Sequence, residues 1–137
     1  NFPDMKTSSF KQQVTVHTTP QVIYDLLMDA KKHSALIGSK VKISQKAGGM
    51  FEVYDGYAHG ENLQLLPGQR IVQTWRANEA KWPKHHFSSI RFELQAIGKG
   101  RTRIVFHHKH VPADLVDNFK SGWREFYWEP LKAMFNK

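Results

Sequence analysis

The feature that most constrains the fold is a change of hydrophobic period partway along the chain. From Val41 to Val111 apolar residues recur at every second position between turn residues, whereas from Pro112 onward they recur at helical spacing. The first regime reads as strands, because successive strand side chains point to opposite faces. Val41 and Ile43 mark one strand and Ala47-Gly48-Gly49 a turn; Phe51 and Val53 lie on the next strand, which stops at the hairpin signal Asp55-Gly56. Residues 58–66 follow, closed by Pro67-Gly68. Ile71, Val72, Thr74 and Trp75 make another strand, with a longer loop around Trp82-Pro83 after it. Ile90, Phe92 and Leu94 define a further strand, Gly98-Lys99-Gly100 turns the chain, and Ile104, Val105 and Phe106 complete the last. Short connections make neighbours antiparallel, so these strands form one meander.

In the second regime Leu115, Phe119, Trp123, Phe126, Tyr127, Leu131 and Met134 form a continuous apolar stripe that starts at Pro112 and Ala113-Asp114. It spans about 22 residues, roughly 33 Å of helix. Gly122 is expected to let a neighbour approach closely, Pro130 to kink or loosen the helix, and Trp128, off the stripe, to be semi-exposed. A stripe this aromatic has to be buried against the sheet.

Ahead of the meander, residues 8–17 alternate, with Phe10, Val14 and Val16 on one face. Thr19-Pro20 is a helix start, a capping hydroxyl followed by a proline where a missing N–H costs nothing. Val22, Ile23, Leu26 and Leu27 carry a short helix to about Asp29, and 31–37 a second one ended by Gly38. Residues 1–7 lack periodicity and read as a loose lead-in. The chain is therefore expected to be one α+β domain over 8–137. It should hold an antiparallel sheet of about six to seven strands, two short helices after the first strand, and one long C-terminal helix.

Composition removes several functions. No stretch approaches the length of an apolar membrane span, and no charged start leads into an apolar run, so neither a membrane location nor a signal peptide is expected. With no cysteine, thiolate chemistry and disulfides are impossible, and a cytoplasmic location is expected. A metal would need His, Asp and Glu ligands. His108 and His110 share a strand face and His85-His86 sit in a loop, but no third ligand joins either pair, so no metal and no cofactor are expected. No Ser occupies a nucleophile elbow, and Gly48-Gly49 lacks the rest of a phosphate loop. Asp114 and Asp117 favour the helix dipole rather than acid/base work.

The formal charge of +8 comes from 20 Lys+Arg against 12 Asp+Glu. Its basic clusters, such as Lys31-Lys32, Arg101 with Arg103, and Lys109 between His108 and His110, are short and dispersed. A solvated surface, or a complement to an acidic partner, is expected rather than nucleic-acid binding. Arg76, after Trp75, is assigned an ordinary surface role.

Read in order, Ala47-Gly48-Gly49-Met50-Phe51, Asp55-Gly56, Gly60-Glu61, Leu66-Pro67, Ile71-Val72-Gln73-Thr74-Trp75-Arg76, Trp82-Pro83 and Gly122-Trp123 with Tyr127 and Leu131-Lys132 resemble a known family over residues 8–136. The chain is similar to the C-terminal domain of the activator of the 90-kDa heat-shock-protein ATPase and its single-domain bacterial relatives, in the START-like, birch-pollen-allergen-like (SRPBCC) superfamily. The resemblance implies the helix-grip fold, a curved sheet wrapped around the C-terminal helix with a cavity between them. It also implies a heat-shock chaperone as a partner and a place in the stress response. The family's eukaryotic members carry an N-terminal domain that docks on the chaperone; 137 residues leave no room for it, so full ATPase activation is not implied.

Given such a cavity, alternation and the aromatic stripe put Met50, Phe51, Val53, Trp75, Ile90, Phe92, Phe106, His108, Phe119, Trp123 and Tyr127 on its walls, around a small hydrophobic ligand. No catalytic residue is assigned. The alternative is an enzyme of the cyclase or hydratase type that superfamily relatives include, acting on aromatic or polyketide-like molecules. It would need a polar group at the pocket floor, with His108 or His59 as the candidates.

Overall fold

The structure, a computed structural model, describes residues 6–137. Seven strands form one sheet: β1 (Thr7–Val16), β2 (Lys42–Ile43), β3 (Met50–Val53), β4 (Ala58–Leu66), β5 (Arg70–Ala77), β6 (Ser88–Ala96) and β7 (Thr102–Pro112). Their order is β1-β7-β6-β5-β4-β3-β2, and every pair is antiparallel. The meander is as the alternation predicts, and β1 closes its far edge by pairing with β7, with Val14 opposite Ile104. Of the lead-in expected over 1–7, residues 1–5 lie outside the described residues, and Thr7 already pairs with Pro112.

Two short helices, α1 (Pro20–Met28) and α2 (Ala30–Ile37), follow β1. Thr19 is extended, and its Oγ1 accepts the Val22 N–H at 3.3 Å, while Pro20 takes the first helical position. Asp29 starts α2 one residue after α1 ends, its Oδ1 accepting the Lys32 N–H at 2.8 Å. Gly38 stops α2 in the left-handed region at φ 70°, and its N–H reaches Ser34 O at 2.8 Å.

After β7 a 3₁₀ turn (Ala113–Leu115) leads into α3 (Val116–Trp123), a π-helical turn (Arg124–Trp128) and α4 (Glu129–Phe135). In the π turn the Glu129 N–H reaches back five residues to the Arg124 carbonyl. The cause lies at Pro130, which has no N–H to donate and whose ring crowds the carbonyl four residues before it. The helix widens over the preceding turn, so Pro130 loosens it without ending it.

The wide turn adds a residue to the repeat, and this overturns three expectations about the stripe. Trp128 is buried, at 4% exposure, with its indole N–H donating to Gln12 Oε1 at 2.7 Å, whereas Phe126 and Met134 are 42% and 41% exposed. The buried stripe runs Trp123, Tyr127, Trp128, Leu131. Gly122 is not a point of close approach either, because a Cβ added there would meet nothing within 4 Å.

The helix lies across the concave face of the sheet. Phe106 of β7, fully buried, is the hub, with ring centroids 4.3 Å from Trp123, 5.1 Å from Phe92 and 5.2 Å from Trp128. Burial of each such ring stabilises the fold by about 1.5–3 kcal/mol. On β4, buried Asn62 donates to the carbonyls of Ser44 (2.7 Å) and Lys46 (3.2 Å) and accepts from Gln73 Nε2 at 2.9 Å. These bonds fold the Ala47-Gly48-Gly49 loop back onto the sheet and satisfy polar groups that would otherwise be buried unpaired. Arg76 is more than a surface charge, since its guanidinium donates to the carbonyls of Pro83 and His86 and pins the long β5–β6 loop.

Candidate functional site

A cleft of about 610 Å³ opens between the end of α2 (Ile37-Gly38-Ser39), the β3–β4 hairpin and the face of α3 that continues into the π turn. Trp75, Phe119 and Trp123 form its apolar floor, and Tyr54, Tyr57, Glu79, Glu125, Phe126 and Tyr127 surround it. Deeper between sheet and helix the space is nearly filled. A void of only about 10 Å³ remains beside Phe51, Ile90 and Phe92, about the room one water needs.

The eleven residues assigned to the cavity wall therefore separate. Val53, Trp75, Phe119, Trp123 and Tyr127 line the cleft, and Phe51, Ile90 and Phe92 touch only the small void. Phe106 and His108 are fully buried and border neither space. Met50 is 59% exposed on the opposite face of β3, because adjacent positions on a strand cannot both face inward and Phe51 is the buried one.

His108 is a satisfied core histidine. The Trp123 indole N–H donates to its Nδ1 at 3.2 Å, which leaves the proton on Nε2 to be donated to Ser88 Oγ at 2.8 Å. Ser88 in turn donates to the Trp75 carbonyl at 2.8 Å. Burial pushes the imidazole down to about 3, so the ring stays neutral. Its role is to hold Trp75 and Trp123, the two indoles of the cleft floor, in place. His59, the other candidate acid/base, stands on the outer face of β4 with its ring 5.6 Å from Phe87. Neither histidine reaches the cleft.

A second buried pair supports the cleft wall. His33 of α2 donates from Nδ1 to the Leu27 carbonyl at 2.9 Å, so its Nε2 accepts the Tyr127 hydroxyl at 2.7 Å. Burial lowers His33 to about 4, outweighing the opposing effect of the Leu27 bond, and raises Tyr127 well above the usual phenol range.

The cleft residues beyond those expected are Tyr54 and Tyr57 at the β3–β4 hairpin, Ile37, Gly38 and Ser39 at the end of α2, Glu79 after β5, and Asn118, Ser121, Gly122, Glu125 and Phe126 on the C-terminal helix. Tyr54, Asp55 and Gly56 have φ of 54°, 56° and 92°, a run of left-handed residues that a non-glycine adopts at a cost of about 1–3 kcal/mol each. This turn swings Tyr54 over the cleft, 5.6 Å and edge-on to Phe126. The Tyr54 hydroxyl is buried and has no hydrogen-bond partner among the described residues. Burial, then the nearby Glu125, raises its pKa. Tyr57 donates its hydroxyl proton to Glu79, and burial followed by that bond raises it too. The signal was present in the sequence as two tyrosines flanking Asp55-Gly56.

Chemically, the cleft offers aromatic surface, hydroxyls and two carboxylates. Among the described residues no three His, Cys, Asp or Glu side chains converge as a metal site, and no helix is long and apolar enough to cross a membrane.

Over residues 17–136 the sequence matches the family described as Activator of Hsp90 ATPase homolog 1-like protein. It is similar to the Activator of 90 kDa heat shock protein ATPase homolog of Dictyostelium discoideum, 28% identical over 134 residues that cover 98% of this chain and 34% of that one. It is also similar to the Activator of 90 kDa heat shock protein ATPase homolog 1 of Homo sapiens, 30% identical over 122 residues, 88% of this chain and 35% of that one. The chain thus spans about a third of the length of these curated relatives. Among solved structures it is similar to an Hsp90 activator from Plasmodium falciparum, with a TM-score of 0.86 at 22% identity, covering 92% of this chain and 94% of that one. At that identity the likeness shows the fold, and the fold is the helix grip already described. The sheet wrapped around an aromatic C-terminal helix and the match over 17–136 together show that this chain belongs to the Activator of Hsp90 ATPase homolog 1-like family.

Proposed function

We propose that this domain is a binding module that takes a small, largely apolar molecule in the cleft between the β3–β4 hairpin and the C-terminal helix. The observation that carries the reading is the roughly 610 Å³ cleft floored by Trp75, Phe119 and Trp123, within the usual size range of small-molecule sites. Among the described residues no serine on its wall is hydrogen-bonded to a base, which favours binding over turnover. The test is native mass spectrometry of protein purified without added ligand, beside the cleft-filling variant Gly122→Phe. A co-purified molecule present on the parent and missing from the folded variant supports the reading. An unliganded parent, or a molecule retained equally by the variant, counts against it.

A second reading, assistance to a heat-shock chaperone, is supported by the family itself and by the outer face of the sheet. Lys11, His107 and Arg91 stand side by side across β1, β7 and β6, with Lys109 next along β7. The cations are close enough to act on His107, whose pKa is lowered by burial first and then by Arg91, Lys11 and Lys109, against the smaller opposing effect of Glu93, which pairs with Arg70 and Arg91. Such a face complements an acidic protein surface. Binding of the 90-kDa heat-shock protein in a pull-down that the Arg91→Glu/Lys109→Glu variant loses supports this reading. Retention by the reversed variant removes the face from consideration.

A further inference from the structure

The cleft differs in charge from the rest of the molecule. The chain carries 20 Lys+Arg against 12 Asp+Glu, yet none of the residues lining the cleft is basic and two, Glu79 and Glu125, are carboxylates. A site for a fatty acid or another anion is best served by a cation that replaces the ligand's hydration, and among the described residues that line the cleft there is none. Two phenol oxygens are instead disposed to accept. Tyr127 has given its proton to His33 and Tyr57 has given its own to Glu79, so both phenol oxygens keep only lone pairs for a ligand. The Tyr54 hydroxyl is buried without a partner and offers the ligand no donor.

The apolar part of the wall points the same way. Trp75 and Trp123 lie 5.8 Å apart and inclined at 46°, Phe119 stands edge-on to Trp75 at 5.2 Å, and Phe126 stands edge-on to Tyr54 at 5.6 Å. Aromatic faces at such spacing attract a positive charge through their quadrupoles, most strongly on indole. Carboxylates at the rim add a field of the same sign, strengthened beside a low-dielectric aromatic wall.

We infer that the cleft selects an organic cation, an amine or ammonium group on an aromatic or otherwise apolar body, over neutral and anionic molecules of the same shape. The inference rests on the reading of the cleft as a ligand site and adds the charge of the ligand. The apolar body lies on Trp75, Trp123 and Phe119, and the cationic nitrogen faces the Glu79 and Glu125 carboxylates.

The test uses three probes of one shape, 1-naphthylmethylammonium, 1-naphthalenemethanol and 1-naphthoate, titrated by calorimetry into the protein and into its Gly122→Phe and Glu79→Gln/Glu125→Gln variants. Circular dichroism confirms that each variant is folded. The expected result is at least tenfold tighter binding of the ammonium than of the alcohol, with the carboxylate weakest. The glutamine variant should bring the ammonium-to-alcohol ratio close to one, and Gly122→Phe should abolish all binding. If the alcohol or the carboxylate binds as tightly as the ammonium and Gly122→Phe still abolishes it, the charge selection is wrong and the ligand site stands. If no probe binds, or Gly122→Phe leaves binding unchanged, the ligand site and its selectivity fall together.

Discussion

The indole N–H of Trp123 donates to Nδ1 of His108 at 3.2 Å, and this one bond decides the tautomer of a fully buried imidazole. It joins the C-terminal helix to β7 and continues through Ser88 to the backbone of Trp75. The cleft floor is thereby fixed from behind by groups that no ligand touches. A histidine so placed serves as a rigid polar strut and has no free nitrogen for catalysis.

That burial has a pH signature. The folded-state values of His108 and His33, about 3 and about 4, lie below the ordinary 6.5, so below pH 6.5 the unfolded chain takes up protons that the folded chain refuses. Stability is therefore complete above that pH and declines as pH falls toward the folded values. At pH 5 each histidine costs about 2 kcal/mol. Urea unfolding at pH 7.5 and pH 5 should show the drop. It should shrink by roughly half in His33→Gln, whose position keeps a hydrogen-bonding side chain. Equal drops in parent and variant would show that other groups dominate.

The π turn predicts an inverted cost for two neighbouring aromatics. Trp128→Ala should destabilise by about 3–5 kcal/mol, since it empties a buried site and strands the Gln12 carbonyl oxygen. Phe126→Ala should cost only about 0.5 kcal/mol. Thermal unfolding of the two variants decides it, and the opposite order would mean a helix without the wide turn.

Two glycines should respond in opposite directions to alanine. Gly122→Ala adds a methyl group to open space in α3 and should stabilise by about 1 kcal/mol through helix propensity. At Gly60 the same methyl would lie 1.9 Å from the Thr74 carbonyl oxygen, so β4 and β5 would have to separate. Gly60→Ala should cost about 3 kcal/mol. Denaturant midpoints measured side by side provide the check.

Tyr54→Phe removes a buried hydroxyl that has no partner, so the free protein should gain about 1 kcal/mol. Melting temperatures of parent and variant measure the gain. A loss of stability would show that the hydroxyl is already satisfied.

The elements that could be read along the chain are those whose cause is local. Thr19-Pro20, Asp29 and Gly38 delimit the short helices through their own side chains and dihedrals, and alternation in β5 and β6 named the buried residues Ile71, Trp75, Ile90 and Phe92. Met50 and Phe51 are adjacent apolar residues on a strand, and such a pair gives no sign in the sequence of which one faces inward. Trp128 and Phe126 trade places relative to a regular period, which cannot anticipate a turn widened by Pro130. The reach of Tyr54 over the cleft depends on three successive left-handed residues, of which only Gly56 advertises itself in the sequence.

The sequence by itself determined the order of elements, the antiparallel meander and the aromatic character of the helix that grips it, because period and turn chemistry act within a few residues. Only the tertiary structure decided where the space lies. Packing closed the deep interior around Phe106 and left the cleft at the helix flank, facing Gly122 and Tyr54. Void and charge at that site depend on which side chains from distant segments meet. That is why a chain of net charge +8 presents a cleft lined by carboxylates, aromatic rings and no cation.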